Sequence, residues 1–509
     1  MRNFKLWQPV LALFVSALAT GVNATSVSFE NKVQGKSFAR VVFQYADGSG
    51  NAPANLGKDS QQQLTTAKSV YDFSGKLGST AKLVAPAGDD TMQVVVMGLG
   101  DSEQLDQAKA VSIGGKLAQL FAHKEIRNVD IVLKGLESKL PSQELAANIA
   151  HGVSLGSYRF NEYLPQATAP NNAYRLVLDE KKQASSLYSQ LRAVESGVFL
   201  ARDLVNLNGG DLTPVEFAQT AQDELSDLNV EVQVFSDEQI KAMKMGLLHA
   251  VGQGSVSGSR LVIAHYKGSN DKPIALVGKG VTFDTGGYNL KTNASIAAMK
   301  TDMAGAAAVL GTIKALAAQN AKVNVIGVMP LAHNMVSETA LIPGDVLTSM
   351  AGKTVEIINT DAEGRLVMAD AMWHVQQEYQ PEILINIATL TGSKIRAVGN
   401  RYAGLFSDDM ELVNQLTDSG SRVNEELWRL PLAYGDMLDS SIADTTNLGS
   451  GGPGASTAAM FLKLFVKEDT RWAHIDIAGN ARVRKTKDET PVGANGFGVR
   501  LFVEWLNAN

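Results

Sequence analysis

Residues 277–291 read VGKGVTFDTGGYNLK, and their reading decides the second half of the chain. Ile274, Ala275, Leu276 and Val277 lead in as a buried strand, and Gly286-Gly287 close it as a loop. Lys279, Asp284 and Lys291 then crowd the end of a core strand, where a charge buried without a partner is costly. Two more segments place charge between a strand pattern and a helix pattern. One is Met299-Lys300-Thr301-Asp302, ahead of the apolar helix pattern Ala304–Ala318. The other is Asn359-Thr360-Asp361-Ala362-Glu363-Gly364-Arg365, between the strand pattern Val355–Ile358 and the helix pattern Leu366–Gln377. In open α/β sheets, sites form outside the carboxyl ends of strands. Asp284, Asp302, Asp361 and Glu363 gathered there would repel one another, and two divalent cations would resolve the repulsion.

Each of these residues also has a blander reading. Asp302 is placed like a helix N-cap, Asp361 like a turn residue, and Lys279 like a strand-end lysine reaching for water. These readings serve the residues singly, but they leave unexplained why all of them sit beside glycines at strand ends. The seven histidines form no rival site. There is no H-E-x-x-H, and His474, in the buried strand pattern WAHID at 472–476, reads as a satisfied core histidine. No G-x-S-x-G elbow and no Walker loop occur. Gly98-Leu99-Gly100 lacks the third glycine of a dinucleotide site.

The chain has 509 residues, which calls for two domains. Strand patterns at Val41–Tyr45, Gln93–Met97, Val129–Leu133 and Tyr174–Leu178 alternate with helical ones such as Ile113–Ala122. The polar stretch Asp179–Ser189 reads as a linker helix. Beyond it, strands are predicted at Val230–Phe235, Leu261–His265, Val323–Met329, Ile383–Ile387 and Ala473–Ile477, and helices at Pro214–Leu228 and Thr457–Val466. This alternation predicts an α/β fold in both halves, with domains over 25–185 and 186–509. At the start, Arg2, Lys5, the apolar run Val10–Ala19 and the small-residue stretch Val22-Asn23-Ala24 predict a signal peptide over 1–24. Export to the periplasm or the medium follows, with no membrane anchor after its removal. The absence of cysteine excludes disulfides and thiolate metal sites. A net charge of −6 opposes nucleic acid as a partner.

NTDAEGRL at 359–366 resembles the signature of the leucyl aminopeptidase family, the M17 metallopeptidases. VGKGVTFD at 277–284, with Lys291 and Asp302 downstream, is similar to the same family. So are ATLTG at 388–392, WAHIDIAG at 472–479, LARDLVN at 200–206 and VGQGS at 251–255. The resemblance, to an exported bacterial-type member, implies a smaller N-terminal α/β domain and a larger catalytic α/β domain with a mixed central sheet. It implies a two-metal aminopeptidase that removes apolar, leucine-like N-terminal residues from peptides. Lys279, Asp284, Asp302 and Glu363 would hold one ion, and Asp284, Asp361 and Glu363 the second, either Zn2+ or Mn2+. Lys291 and Arg365 would be catalytic, with bicarbonate at Arg365, and Met299 and Thr389 would lie near the side-chain pocket. A homohexamer is implied as well. Thr285 stands where the family usually has Ser, Tyr288-Asn289 where it has Ile-Ser, and Ala304 where Gly or Cys is common. None of these removes a ligand. The rival readings are a DNA-binding or regulatory relative and a catalytically silent paralogue.

Overall fold

The computed structural model describes residues 25–508 except 34, 36, 52–57, 87–90, 123–127 and 165–171. The proposed leader over 1–24 lies outside the described residues.

Among the described residues the chain builds two large sheets, a three-stranded one and a two-stranded one. The first holds β1 (Ser26–Glu30), β2 (Ala39–Tyr45), β3 (Thr80–Val84), β4 (Gln93–Gly100), β5 (Asn128–Val132) and β6 (Ala173–Val177), in the order β1-β6-β5-β2-β4-β3. Its pairings are parallel except β3 with β4. The helices Gln107–Leu120 and Ser142–Ser157 pack on it. They cross at glycines, where a Cβ on Gly152 would lie 1.9 Å from the Val111 carbonyl oxygen.

The second sheet has nine strands: β7 (Glu231–Phe235), β8 (Arg260–Lys267), β9 (Ile274–Gly278), β10 (Gly280–Asp284) and β11 (Asn324–Asn334) come first. A small separate sheet takes β12 (Val346–Thr348), β13 (Thr354–Glu356) and β17 (Thr445–Thr446). The large sheet resumes with β14 (Ile383–Ala388), β15 (Ala403–Phe406), β16 (Leu427–Arg429) and β18 (Arg471–Asp476). Its order is β16-β15-β18-β14-β9-β11-β8-β7, with β10 beside β11. The centre, from β18 to β11, is parallel, while the β11–β8, β8–β7 and β15–β18 pairings are antiparallel. This is the mixed sheet expected for the catalytic domain. Apolar cores cover both faces, which is why the central strands read as continuous apolar runs rather than alternating ones.

The helix Lys181–Asn206 runs on well past the predicted linker. Ala184 and Tyr188 sit in the N-terminal core, whereas Val194, Val198, Ala201 and Val205 sit in the catalytic core. It crosses the helix Ala304–Gln319 at Gly197 and Gly311, where a Cβ on either would lie 2.1 or 2.4 Å from the other's carbonyl oxygen. The loop at Asp488-Glu489 also reaches back to the N-terminal domain. Gly115 gives it room, since a Cβ there would lie 2.3 Å from the Glu489 amide nitrogen. Lys116 pairs with Asp488, and Asn424 donates to the Ala108 carbonyl at 3.0 Å.

The opening stretch, expected as one strand, is two. β9 pairs with β14 and β11, but β10 keeps only β11. Lys279 stands at the break, where its N–H still donates to the Ile387 carbonyl at 3.0 Å. The helix Ala304–Gln319 starts against this break, and a Cβ on Gly305 would lie 2.2 Å from the Ile387 carbonyl oxygen and 2.9 Å from the Lys279 nitrogen. Gly305→Ala gains about 1 kcal/mol of helix propensity. It also drives a methyl into backbone that cannot yield, an overpacking cost of about 1–3 kcal/mol. We expect a net loss of up to about 2 kcal/mol, read as a lower urea midpoint at an unchanged m-value.

Candidate metal centre

Four parallel strands of the large sheet end at the same side, and the site lies there. Asp284 ends β10, Asn334 ends β11, Thr389 follows β14, and Asp476 ends β18. The loop before the helix Gly364–Glu378 brings Asp361 and Glu363, and the turn before the helix Ala304–Gln319 brings Asp302.

The side chains meet directly. The Lys279 Nζ lies 2.7 Å from an Asp302 Oδ and 2.9 Å from a Glu363 Oε, and it donates to the Thr389 carbonyl at 3.3 Å. The Lys291 Nζ lies 2.8 Å from Asp284 and also contacts Asp361. Oxygens of Asp284, Asp361 and Glu363 all fall within 4.8 Å of one another. Lys279, Asp284, Asp302, Glu363 and Arg365 are each at most 5% exposed. The blander readings of Lys279 and Asp302 therefore fail, while Asp361 does sit in a turn. Lys279 does not reach water, and Asp302 accepts from the Thr389 hydroxyl at 2.6 Å instead of capping the next helix, whose N-terminus has no side-chain cap. Met299 is half-buried at the head of the 3-10 turn that delivers Asp302.

Electrostatics follow from this crowding. Burial raises the Asp302 carboxyl to about 6 against the pull of Lys279. Burial, with Glu363 and Asp302 nearby, holds Asp284 well above the carboxylate range. Asp361 is raised by burial and by Glu363. Burial also pushes Glu363 upward, but Lys279 and Lys291 outweigh it and the net shift is downward. For Lys279, burial favours the neutral amine, yet Asp302 and Glu363 outweigh it in the metal-free chain. Burial lowers the Arg365 guanidinium to about 10.

These residues fit a divalent-metal pair. Four carboxylates face two ammonium groups, a formal excess of two negative charges. Glu363 keeps one buried oxygen with no hydrogen-bond partner. The donors are carboxylate oxygens and an amine, with no thiolate in the chain, a set suited to Zn2+ or Mn2+. Arg365 is buried with Nε and Nη1 unpartnered, so it has hydrogen-bonding capacity to spare for a small anion.

Four neighbouring residues were given no role from sequence. Asn334 donates to Asp284 at 2.7 Å and to the Thr360 carbonyl at 3.1 Å. Asp476 accepts from the Leu390 N–H at 3.1 Å and the Thr391 hydroxyl at 2.7 Å, and so fixes the loop that carries Thr389. Asn289 and Thr360 bond to each other. Asn334 had a usable signal, being a polar end to the apolar run NVIGVMPLAHN. His474 is fully buried and stacked on Phe406, with Nδ1 2.7 Å from the Asn386 amide. Burial lowers it to about 3, so it is neutral, but its Nε2 has no partner, and the expectation of full satisfaction holds for one nitrogen only.

Comparison with known proteins agrees with this geometry. The catalytic-domain model of the cytosol aminopeptidase family matches residues 199–503, and its N-terminal-domain model matches residues 41–166. The probable cytosol aminopeptidase 1 of Shewanella oneidensis is 45% identical over 488 residues, covering 95% of this chain and 96% of its own. The probable cytosol aminopeptidase of Rickettsia bellii is 41% identical, covering 89% and 93%. A tomato leucine aminopeptidase mutant superposes with a TM-score of 0.83 at 31% identity, covering 95% of this chain and 97% of its own. A bottromycin maturation enzyme in complex with Mn gives 0.82 at 31% identity, covering 93% and 99%. These relatives favour the peptidase over the DNA-binding, regulatory and silent alternatives. They overturn the expectation of export to the periplasm or medium, because the matched relatives are named cytosol aminopeptidases. That expectation rested on a short local pattern, a charged start before an apolar run, which lies outside the described residues. No helix among the described residues is long and apolar enough to cross a membrane. The chain belongs to the cytosol aminopeptidase family, whose members are exopeptidases using two divalent metal ions.

Proposed function

We propose that this chain removes the N-terminal residue of peptides, with preference for an apolar, leucine-like one, using two divalent ions held by Lys279, Asp284, Asp302, Asp361 and Glu363. The observation that carries this reading is the buried excess of carboxylates at the strand ends, with one Glu363 oxygen left unpartnered. Asp284 and Glu363 would be shared between the two ions: Glu363 contacts Lys279, and its carboxylate lies with those of Asp284 and Asp361 within 4.8 Å. When bound, such a pair acts as a Lewis acid toward a carbonyl and makes water nucleophilic at neutral pH.

The chain's own groups supply the rest. Lys291, held between Asp284 and Asp361, keeps its positive charge and stabilises the oxyanion that develops on the attacked carbonyl. Arg365 would hold a small anion such as bicarbonate through its unpartnered Nε–H and Nη1–H, and such an anion would supply a proton-relaying base. The Thr389 hydroxyl orients Asp302, and Met299 borders the pocket for the first side chain. The assembly we propose is a homohexamer.

Lys291→Ala should retain both metals and lose turnover by about 10²-fold, the scale of one oxyanion donor. Asp302→Ala should weaken one metal site, and Glu363→Ala both. Elemental analysis beside leucine-anilide hydrolysis separates the three variants. Because Asp302 and Asp284 are raised above the ordinary carboxylate value, the metal-free fold takes up protons there on acidification. The sign is that this corner destabilises the metal-free chain increasingly as pH rises from about 4 through 6. Metal must displace those protons, so the half-saturating Mn2+ concentration should climb as pH falls from about 7.5 to about 5.5, read by calorimetric titration of the stripped protein. Light scattering should give a particle six times the chain mass.

A further inference from the structure

The loop from Thr285 to Lys291 carries two glycines in the left-handed region, Gly286 at φ 87° and Gly287 at φ 61°. Such backbone is soft unless it is tied down. Lys291 sits at its far end on a long side chain whose rotamer freedom is large. The Lys291 N–H closes the loop on the Thr285 carbonyl at 2.9 Å, but that bond holds the loop only to itself.

What fastens it to the opposite loop is a reciprocal pair. The Asn289 Oδ1 accepts from the Thr360 N–H at 2.8 Å, and the Asn289 N–H donates to the Thr360 Oγ1 at 2.9 Å. The Thr360 hydroxyl in turn donates to the Gly286 carbonyl at 2.6 Å. Thr360 is buried at 1% exposure and so is a fixed post, whereas Asn289 is exposed. Gly287 lets the post approach, since a Cβ there would lie 2.9 Å from the Thr360 Oγ1. Asn289 is two residues from Lys291, and Thr360 adjoins Asp361, the carboxylate Lys291 contacts. Among the described residues, the hydrogen bonds of the exposed Asn289 side chain all go to Thr360.

We propose that Asn289 is a positioning residue. Its clasp on Thr360 sets the register between the two site loops and thereby places the Lys291 ammonium. This rests on the catalytic role proposed above for Lys291, and it adds a residue that touches neither metal nor substrate. Displacing a reacting group by about 1 Å can cost on the order of 10²-fold in rate. The anchors that survive loss of the side chain, the Asn289 N–H to the Thr360 Oγ1, the Thr360 hydroxyl to the Gly286 carbonyl and the Tyr288 Oη–H to the Ser337 carbonyl at 2.9 Å, limit the displacement. The expected loss is therefore about 10-fold.

The test compares the metal-loaded wild type with Asn289→Ala and Asn289→Asp. Only the Oδ1 acceptor is used, and Asp keeps it while its charge stays in water, so it serves as the rescue. Asn289→Ala should lower kcat about 10-fold with KM changed less than about 2-fold, and with unchanged metal content and Tm. In the same variant, amide hydrogen exchange of the 285–291 and 359–361 segments should speed up while the helix Ala304–Gln319 keeps its protection. Asn289→Asp should restore most of both. Unchanged kcat and exchange in Asn289→Ala would overturn the proposal. So would a kcat loss that Asp fails to restore, or one accompanied by metal loss. If the wild type cleaves no N-terminal residue, the proposed activity fails, while the exchange measurement still decides whether the clasp orders the loops.

Discussion

Everything at the site follows from one constraint: four carboxylates share a buried corner that only two lysines neutralise. Coulomb repulsion there is too poorly screened to ignore, because water has been displaced by two apolar cores and the ends of a parallel sheet. The corner therefore has to be supported on every side. Asn334 and the Gly286 N–H each donate to the same Asp284 oxygen, at 2.7 and 2.8 Å, and the Thr389 hydroxyl donates to Asp302. These neutral donors spread the charge without cancelling it, which leaves an affinity for cations built into the fold. A corner fully neutralised by arginines would fold more easily and bind nothing.

The same constraint explains the glycines. Gly278 and Gly305 let a strand end and a helix start meet backbone to backbone, with Lys279 threaded between them toward the carboxylates. Gly364 does the same for the other side, since a Cβ there would lie 2.3 Å from the Lys279 Cε. Lys279 is thus walled in by backbone, and its amine has no route away from Asp302 and Glu363.

Much of this was legible in the sequence because it is local. Charges beside glycines at the ends of apolar runs named Lys279, Asp284, Lys291, Asp302, Asp361 and Glu363, and the contacts among them are there. The alternation of strand and helix patterns gave the α/β class, and Ile383–Ile387 was read as a strand, which it is. What was not legible is relational. Asn289 and Thr360 are 71 residues apart, and no spacing rule pairs an exposed asparagine with a buried threonine. The split between β9 and β10 is invisible in a run of apolar residues, because it is caused by β14 ending beside it. The export reading was overturned by the relatives for the opposite reason: it was wholly local and had nothing outside itself to agree with.

The long helix Lys181–Asn206 has a practical consequence. One end contributes Ala184 and Tyr188 to the first core, and the other contributes Val194 through Val205 to the second. No cut in the chain gives two clean halves. A catalytic fragment beginning after the helix would uncover the apolar face of Ala304–Gln319, and an N-terminal fragment that kept the helix would carry its apolar second half into solvent. Recombinant fragments of either kind would be sticky, and a swap of N-terminal domains between relatives would have to place its junction inside a continuous helix, at matched positions on the same helical face.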